Sequence, residues 1–474
     1  MPYLTRRLGA PAAPQPVFTP SAQPFPEDIL TALVTAAIAG GGLAGCECAR
    51  RLARAGVSVT LYEMKPQTYS PAHTSPDLAE LVCSNSLRSD DIASGVGLLK
   101  QEMRELDSLV MQVAEATRVP AGKALAVDRE LFARRMTEAM EAEPNISVVR
   151  REISSIHAPE LAAADVAVVA AGPLASESLA ASLAEVVGSR HLYFYDAIAP
   201  IIAAESIDTS IAFQGSRYDE GEGDYLNCPM NREEYEAFHA ALLAAEKAPT
   251  HEFEKEVHFE GCMPIEALAE RGERTLVFGP FKPVGFTDPR TGQRPYAIVQ
   301  LRAENLNRTA YNLVGCQTKL KYGEQERVFR MIPGLANAEF VRHGSMHRNT
   351  YVNAPLVLAD DLALRPHRHV HLAGQITGVE GYVESAACGL WLGMVLAARA
   401  LGRNLPQPPV DTALGALLHH LRTPAKNFQP SNVNFGLMPE LTQRAKKRDR
   451  KALYAERARA SFATWLEGVP GLEK

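Results

Sequence analysis

Apolar positions along this chain fall into two rhythms. Leu33-Val-Thr-Ala-Ala-Ile-Ala39 is a short, nearly unbroken apolar run, long enough for one buried parallel strand. Glycines follow at once, then a helical stretch through Arg54, then a second strand at Val57-Ser-Val-Thr-Leu-Tyr62. Strand, glycine turn, helix and strand within about 30 residues make one βαβ unit. Leu99, Met103, Leu106, Val110 and Val113 recur at helical spacing and predict one amphipathic helix over residues 97–116. Another helix is expected over Asp128–Glu143 and a strand at Ile146–Arg150. Val166-Ala-Val-Val-Ala-Ala171 reads as a buried strand that ends in Gly172-Pro173.

From residue 195 to 340 this texture is lost. Charges, aromatics and turn residues mix, as in Ser216-Arg-Tyr-Asp-Glu-Gly221 and Phe278-Gly-Pro-Phe-Lys-Pro-Val-Gly285, and strands look shorter and more separated. A strand at 369–373 then leads into a second glycine-rich turn and an apolar helix around Leu390. The apolar run Ala386–Ala398 is too short to span a bilayer and reads as a buried helix.

Composition narrows the class without choosing a function. The chain has 474 residues, 46% hydrophobic and 22% charged, which is ordinary globular composition and room for two or three domains. The net charge of −6 excludes a protein that is basic throughout, so a polyanion would have to meet a local patch. Seven scattered cysteines without a C-x-x-C point to a reducing, cytoplasmic setting rather than a disulfide framework. Residues 1–32 are rich in proline and lack an apolar signal core, and are expected to be a disordered extension.

Gly40, Gly42 and Gly45 form G-x-G-x-x-G between the first strand and its helix, within the turn Gly40-Gly-Gly-Leu-Ala-Gly45. The first glycine permits the tight turn, the second lets backbone approach a pyrophosphate, and the third allows close helix–strand packing. Gly41, Leu43 and Ala44 belong to the same expected cofactor turn, whose helix N-terminus offers free N–H groups to phosphate. Glu63 ends the next strand, where a carboxylate can bind both ribose hydroxyls; an acid there fits FAD or NAD better than NADP. Val168-Val-Ala-Ala-Gly172 and the late turn Gly374-Gln-Ile-Thr-Gly-Val-Glu-Gly-Tyr-Val-Glu384 favour FAD, which adds Gly172, Gly374, Gly378 and Glu380 to the expected cofactor residues. The expected fold is α/β: a Rossmann-like FAD-binding domain, discontinuous in sequence (33–195 and 340–474), with an inserted α+β domain (196–339).

Further stretches resemble one family closely. They are Leu81-Val-Cys-Ser-Asn-Ser-Leu87, Ala124-Leu-Ala-Val-Asp-Arg129, Tyr193-Phe-Tyr-Asp196, Phe259-Glu-Gly-Cys-Met-Pro264, Arg294-Pro-Tyr-Ala297, Met346-His-Arg-Asn-Thr350, Gly378-Val-Glu-Gly-Tyr-Val-Glu-Ser385, Lys426-Asn-Phe-Gln-Pro430 and Asn434-Phe-Gly436. In order and spacing, from residue 38 to 436, they are similar to the folate- and FAD-dependent tRNA (uracil-5-)-methyltransferases, the TrmFO family. The resemblance implies methylation of C5 of a uridine in the tRNA T-loop, position 54. It implies methylenetetrahydrofolate as carbon donor, reduced FAD as relay and reductant, and NAD(P)H to re-reduce the flavin. It implies tRNA and folate as partners, with no membrane and no obligate protein partner. It also marks Cys83 and Cys262 as the catalytic cysteines, with Cys262 as the candidate nucleophile and Cys83 as its partner, either a general base or a flavin-adduct-related thiol. Where the family usually has glycine this chain has Lys123, and His73 stands where it often has two histidines.

The chemistry suits these residue types. C5 of uracil is a weak nucleophile until a thiolate adds at C6, and a base must later remove the C5 proton. The other reading of such cysteines is plain packing, and Cys46 and Cys48 on the first helix are read that way. Cations are needed for tRNA phosphates. Arg217, Arg302, His347 and Arg348 lie in motif regions and are candidate substrate contacts, while Arg444, Lys446, Lys447, Arg448, Arg450 and Lys451 form a basic cluster that fits either RNA contact or a solvated face. His367, His369 and His371 alternate on one strand, but nothing completes a metal site and none is expected. Two rival readings remain: a wobble-uridine modifier, which needs a longer helical C-terminus, and a non-catalytic flavin-containing tRNA binder or chaperone.

Overall fold

The computed structural model describes residues 34–188, 191–216, 223–248, 263–425, 428–442, 445–446 and 448–469. The extension 1–32, Arg217 and Cys262 lie outside them, as do Arg444 and Lys447 of the basic cluster.

The first βαβ unit forms where the apolar pattern places it. Strand β1 (Thr35–Ala39) leads into helix α1 (Leu43–Arg54) and strand β2 (Ser58–Glu63). The expected single helix over 97–116 is two helices, α2 (Gly95–Glu105) and α3 (Leu109–Ala116). The apolar positions do keep helical spacing, but Asp107 takes a left-handed φ of 57° and breaks the ladder. Ser108 then caps α3 through its side chain. Buried Glu47 on α1 accepts from the Ser108 hydroxyl and from the amides of Leu109 and Val110, at 3.3 and 2.9 Å. A tertiary cap thus decides the break, and a periodicity argument cannot see it.

Helix α4 (Arg129–Ala142), capped by Asp128, precedes strand β3 (Ile146–Arg150), and β4 (Val166–Val169) follows. The short β5 (Ala363–Leu364) and β6 (His367–Leu372) come late in the chain. These six strands form one sheet in the order β5-β6-β4-β1-β2-β3. All pairs are parallel except β5 with β6 at the edge. From β1 the chain winds outward through β2 to β3, then returns to β4 on the other side of β1. That reversal opens a crevice beyond the carboxyl ends of β1 and β4.

Helix α5 (Tyr382–Ala400) lies against α1. At 19 residues it exceeds the expected run and is long and apolar enough to span a membrane, yet 78% of its most apolar window is buried inside the protein. Its glycines explain the close crossing. A Cβ on Gly389 would lie 2.1 Å from the Ala44 carbonyl oxygen, and one on Gly393 2.9 Å from the Cys48 Cα. Cys46 and Cys48 are fully buried, Cys48 at this crossing, and burial pushes both thiols far up.

A second, antiparallel six-stranded sheet takes strands 213–215, 225–230, 297–303, 310–313, 201–203 and 340–342, in that spatial order. It carries its own apolar core around Phe238, Phe281 and Phe329. The strand 340–342 pairs here, although its sequence position lies just past the expected boundary at 339. Strands 191–197 and 346–352 pair antiparallel with each other where the chain enters and leaves this region.

Helix α6 (Ala413–Arg422) is anchored by buried Glu102 of α2, which accepts from the amides of Ala413 and Leu414 at 2.8 and 2.7 Å. Burial outweighs these donors and pushes the carboxyl up to about 8. The folded chain therefore holds a proton that the unfolded chain releases near pH 4.5. The site's contribution to stability is fullest below that pH and falls as pH rises toward 8. Glu102→Gln cannot ionise, so its denaturation midpoint is expected to decline less steeply between pH 5 and 8 than that of the wild type. Parallel profiles would show that this carboxyl does not titrate there.

Candidate functional site

The glycine turn is shaped by backbone contacts. Gly40 sits at φ +110°, and its amide donates to the Tyr62 carbonyl at 2.8 Å. A Cβ at Gly45 would stand 1.9 Å from the Gly40 carbonyl oxygen, whereas one at Gly42 would meet nothing within 4 Å. Gly42 is the N-cap of α1, with no capping side chain and no acid in the first turn. The helix therefore presents uncapped amides to open space, which is what an anion requires. Glu63 is buried, and its carboxylate accepts from the amides of Gly41 and Lys65, each at 3.0 Å. Each oxygen keeps a free lone pair for a hydroxyl donor. These features fit the pyrophosphate and ribose of a dinucleotide.

The turn opens into a cavity of about 400 Å³. Of the expected cofactor residues, Gly40, Gly41, Gly42, Leu43, Ala44, Glu63, Gly172, Gly374 and Glu380 border it. Gly45 and Gly378 do not border it but shape it. Gly378, at φ +97°, lies where a Cβ would be 2.5 Å from the Phe428 ring. The amide of Glu380 donates to the Ser431 carbonyl at 2.9 Å and that of Ser431 to the Gly378 carbonyl at 3.2 Å. Segment 428–433 thus braces the late glycine turn, which is why these distant motifs work as one unit.

Cys83 borders the same cavity, is half-buried, and is free. Its loop is held from all sides. The amides of Cys83 and Ser84 donate to the Tyr382 hydroxyl at 2.7 and 3.3 Å. Burial and the neighbouring Cys83 push that hydroxyl well above its ordinary value. Arg129 donates to the Leu81 carbonyl at 2.5 Å and pairs with Glu304 at 2.8 Å. Lys100, fully buried, donates to the carbonyls of Leu87, Arg88 and Ser89 at 2.9, 3.1 and 2.6 Å, and burial pushes it down to about 7. Arg88 pairs with buried Glu384, which also accepts from the Val433 amide at 3.0 Å.

Arg302 is the expected substrate contact whose side chain the structure places in this wall. It donates to Asn85 Oδ1 at 2.7 Å and to Ser84 Oγ at 2.6 Å. Among the described residues it has no ion-pair partner, and burial lowers its pKa. The strand Met346–Val352 carries His347 and Arg348 next to cavity-lining Asn349, but the two side chains themselves lie outside the description. The described part of the basic cluster is exposed and does not border the cavity. Lys123 is 85% exposed and lies outside it too, whereas His73 borders it, held by Ser70 at 2.6 Å. His371 is buried beside Asp361 at 3.9 Å while His369 is exposed. Among the described residues no group of three or more His, Cys, Asp or Glu could hold a metal.

The roles of Lys100, Arg129, Tyr382 and Glu384 were not read from the sequence. Glu384 did carry a signal, being the one acid in an otherwise largely apolar helix.

Comparison with known proteins matches this geometry. The family profile for Glucose inhibited division protein A matches residues 35–404. A methylenetetrahydrofolate–tRNA-(uracil-5-)-methyltransferase TrmFO of Nitratidesulfovibrio vulgaris (strain Hildenborough) is 77% identical over 442 residues, covering 93% of each chain. The protein of the same name from Oleidesulfovibrio alaskensis is 72% identical, over 93% of this chain and 99% of its own. The solved structure of Aquifex aeolicus GidA shares the fold, with a TM-score of 0.61 at 16% identity, over 93% of this chain and 76% of that one. By these matches the chain belongs to the Glucose inhibited division protein A family and, among its members, to the TrmFO methylenetetrahydrofolate–tRNA-(uracil-5-)-methyltransferases.

Proposed function

We propose that this enzyme methylates C5 of a uridine in the tRNA T-loop, position 54, with methylenetetrahydrofolate as carbon donor and NAD(P)H as the source of electrons. The observation that carries this reading is that Cys83 and the glycine turn border one cavity. FAD, when bound, supplies the reducing electrons and the relay for the carbon. The α1 N-terminus and Gly40–Gly42 would hold its pyrophosphate and Glu63 its ribose, with Gly172, Gly374 and Glu380 along the rest of the crevice.

Cys262 is the proposed nucleophile toward C6 and Cys83 the proposed base for the C5 proton. Support for Cys262 comes through the chain. Three residues on, the Ile265 amide donates to the carbonyl of Gln317, which borders the cavity, at 2.6 Å. Glu266 clamps the same segment by accepting from Thr318 Oγ1 at 2.9 Å and the Lys319 amide at 2.7 Å. Arg302, a buried cation with no carboxylate partner among the described residues, would stabilise the negative charge that thiolate addition pushes onto the uracil carbonyl. Arg217, His347 and Arg348 remain proposed RNA contacts. A reducing cytoplasm is the proposed setting, and the six described cysteines are all free.

The deciding test supplies carbon-labelled methylenetetrahydrofolate, FAD, and NADH or NADPH with a T-loop transcript. Label is expected on C5 of one uridine, and none on a transcript lacking that uridine. Absence of label with both reductants, in protein that binds FAD, would overturn the reading.

A further inference from the structure

Asn349 is a buried polar residue of this cavity to which the chemistry above gives no role. It sits in the strand Met346–Val352, is 2% exposed, and borders the cavity with Cys83, Ser84, Arg302 and Gln317. The amide of its neighbour Thr350 donates to the Pro173 carbonyl at 3.0 Å, which sets the strand against the wall begun by Gly172. Among the described residues the Asn349 carboxamide makes no hydrogen bond, and its polar atoms are not sealed off from the cavity. Two other buried asparagines, Asn85 and Asn227, are saturated by carbonyls. Asn85 donates to the carbonyls of Val127 and Ala303, both at 2.9 Å, and Asn227 donates to three carbonyls at 2.9 to 3.2 Å.

A carboxamide that faces a cavity and has no partner among the described residues is left to hydrogen-bond whatever fills that cavity. It borders a cavity that a ligand can fill. A carboxamide offers an acceptor and a donor side by side. Its complement is a cyclic imide edge, an N–H flanked by carbonyls. We infer that Asn349 binds the imide edge of a pyrimidine-type ring, its Oδ1 accepting from N3–H and its Nδ2 donating to the adjacent carbonyl. This rests on the proposed function, which brings two such rings to the cavity: the pyrimidine portion of the flavin and the target uracil. Asn349 is a binding residue for one of them, with no bond made or broken at its side chain.

Methylation of N3 on each ligand separates the two sources. In the flavin arm, wild type and Asn349→Ala are titrated with FAD and with N3-methyl FAD. In the uracil arm, kcat/KM for FAD-loaded protein, or Kd in filter binding, is measured for transcripts carrying uridine or N3-methyluridine at the target. In one arm the wild type is expected to disfavour the methylated ligand by at least about 10-fold. In that arm the variant should show a gap within about two-fold. A gap in the flavin arm places the flavin on Asn349, and a gap in the uracil arm places the substrate there. No gap in either arm, or a gap that Asn349→Ala leaves unchanged, overturns the inference. Asn349→Ser, too short to reach the same edge, replaces the alanine variant if circular dichroism shows that one unfolded. Absence of turnover on normal transcripts would count against the proposed function alone, because the flavin titrations and RNA binding need no turnover.

Discussion

Cys262→Ala is expected to lose label transfer to the T-loop transcript below detection while keeping FAD bound. Cys83→Ala is expected to lose about 10²- to 10⁴-fold in kcat, the range for removing a general base. The two losses have different signatures. A transcript carrying 5-fluorouridine has no C5 proton to give up, so with methylenetetrahydrofolate and reduced FAD present, once the carbon unit has added at C5 the thiolate at C6 cannot be eliminated and a stable covalent complex is trapped. Cys83→Ala should still form that complex, seen as a shifted band on a denaturing gel, and Cys262→Ala should not. The opposite pattern would exchange the two roles, and turnover retained in both variants would remove the cysteines from the mechanism. The structural basis is asymmetric. Cys83 lies on a loop fixed by Tyr382, Arg129 and Arg302, so its alanine variant should fold normally.

Gly45→Ala is expected to yield colourless protein, or little soluble protein, with FAD affinity reduced at least about 100-fold. The added methyl would stand 1.9 Å from the Gly40 carbonyl oxygen, and 3.5 Å from the Ala170 side chain. A backbone oxygen cannot swing aside as a side-chain end can, and Gly40 is already committed to φ +110°. Either the turn opens or α1 lifts away from β1 and from α5, whose Gly389 packs onto Ala44. Gly42→Ala is the internal control. Its Cβ meets no protein atom within 4 Å, so that variant should fold and melt like the wild type. Its methyl would stand in open space at the N-terminus of α1, so weaker FAD binding without lost stability is expected. The ratio of visible to ultraviolet absorbance and a flavin titration read both effects. Wild-type colour and affinity in Gly45→Ala would refute the proposed packing of this turn.

Much of the nucleotide-binding half was legible because its signals are local. Strand β3 falls at Ile146–Arg150 as expected, and β1, α1, β2, α4 and β4 fall within a few residues of their expected bounds. A fully buried parallel strand needs a short apolar run, and a tight turn needs glycine. Both requirements are written in consecutive residues. The break between α2 and α3 was not legible, because Glu47, 61 residues before Ser108, supplies the cap. Nor was the place of residues 340–342, since strand pairing across 138 residues of chain leaves no local mark.

Within the site the division is similar. The residue types at Gly40–Gly45 and Glu63 declared a dinucleotide turn by themselves, because that chemistry needs a particular side chain or the lack of one, whereas Cys83 was marked only by resemblance to a family. That Arg302 lies 2.6 Å from Ser84, that Tyr382 holds the Cys83 amide, and that Asn349 borders the cavity with no partner among the described residues came only with the tertiary structure. These residues are separated from Cys83 by hundreds of positions, and side chains that far apart meet only after two sheets have packed. The sequence by itself determined the kind of cofactor turn, and its resemblance to a family marked the candidate cysteines. Folding decided which charges and amides surround them, because burial and distance are properties of the packed chain.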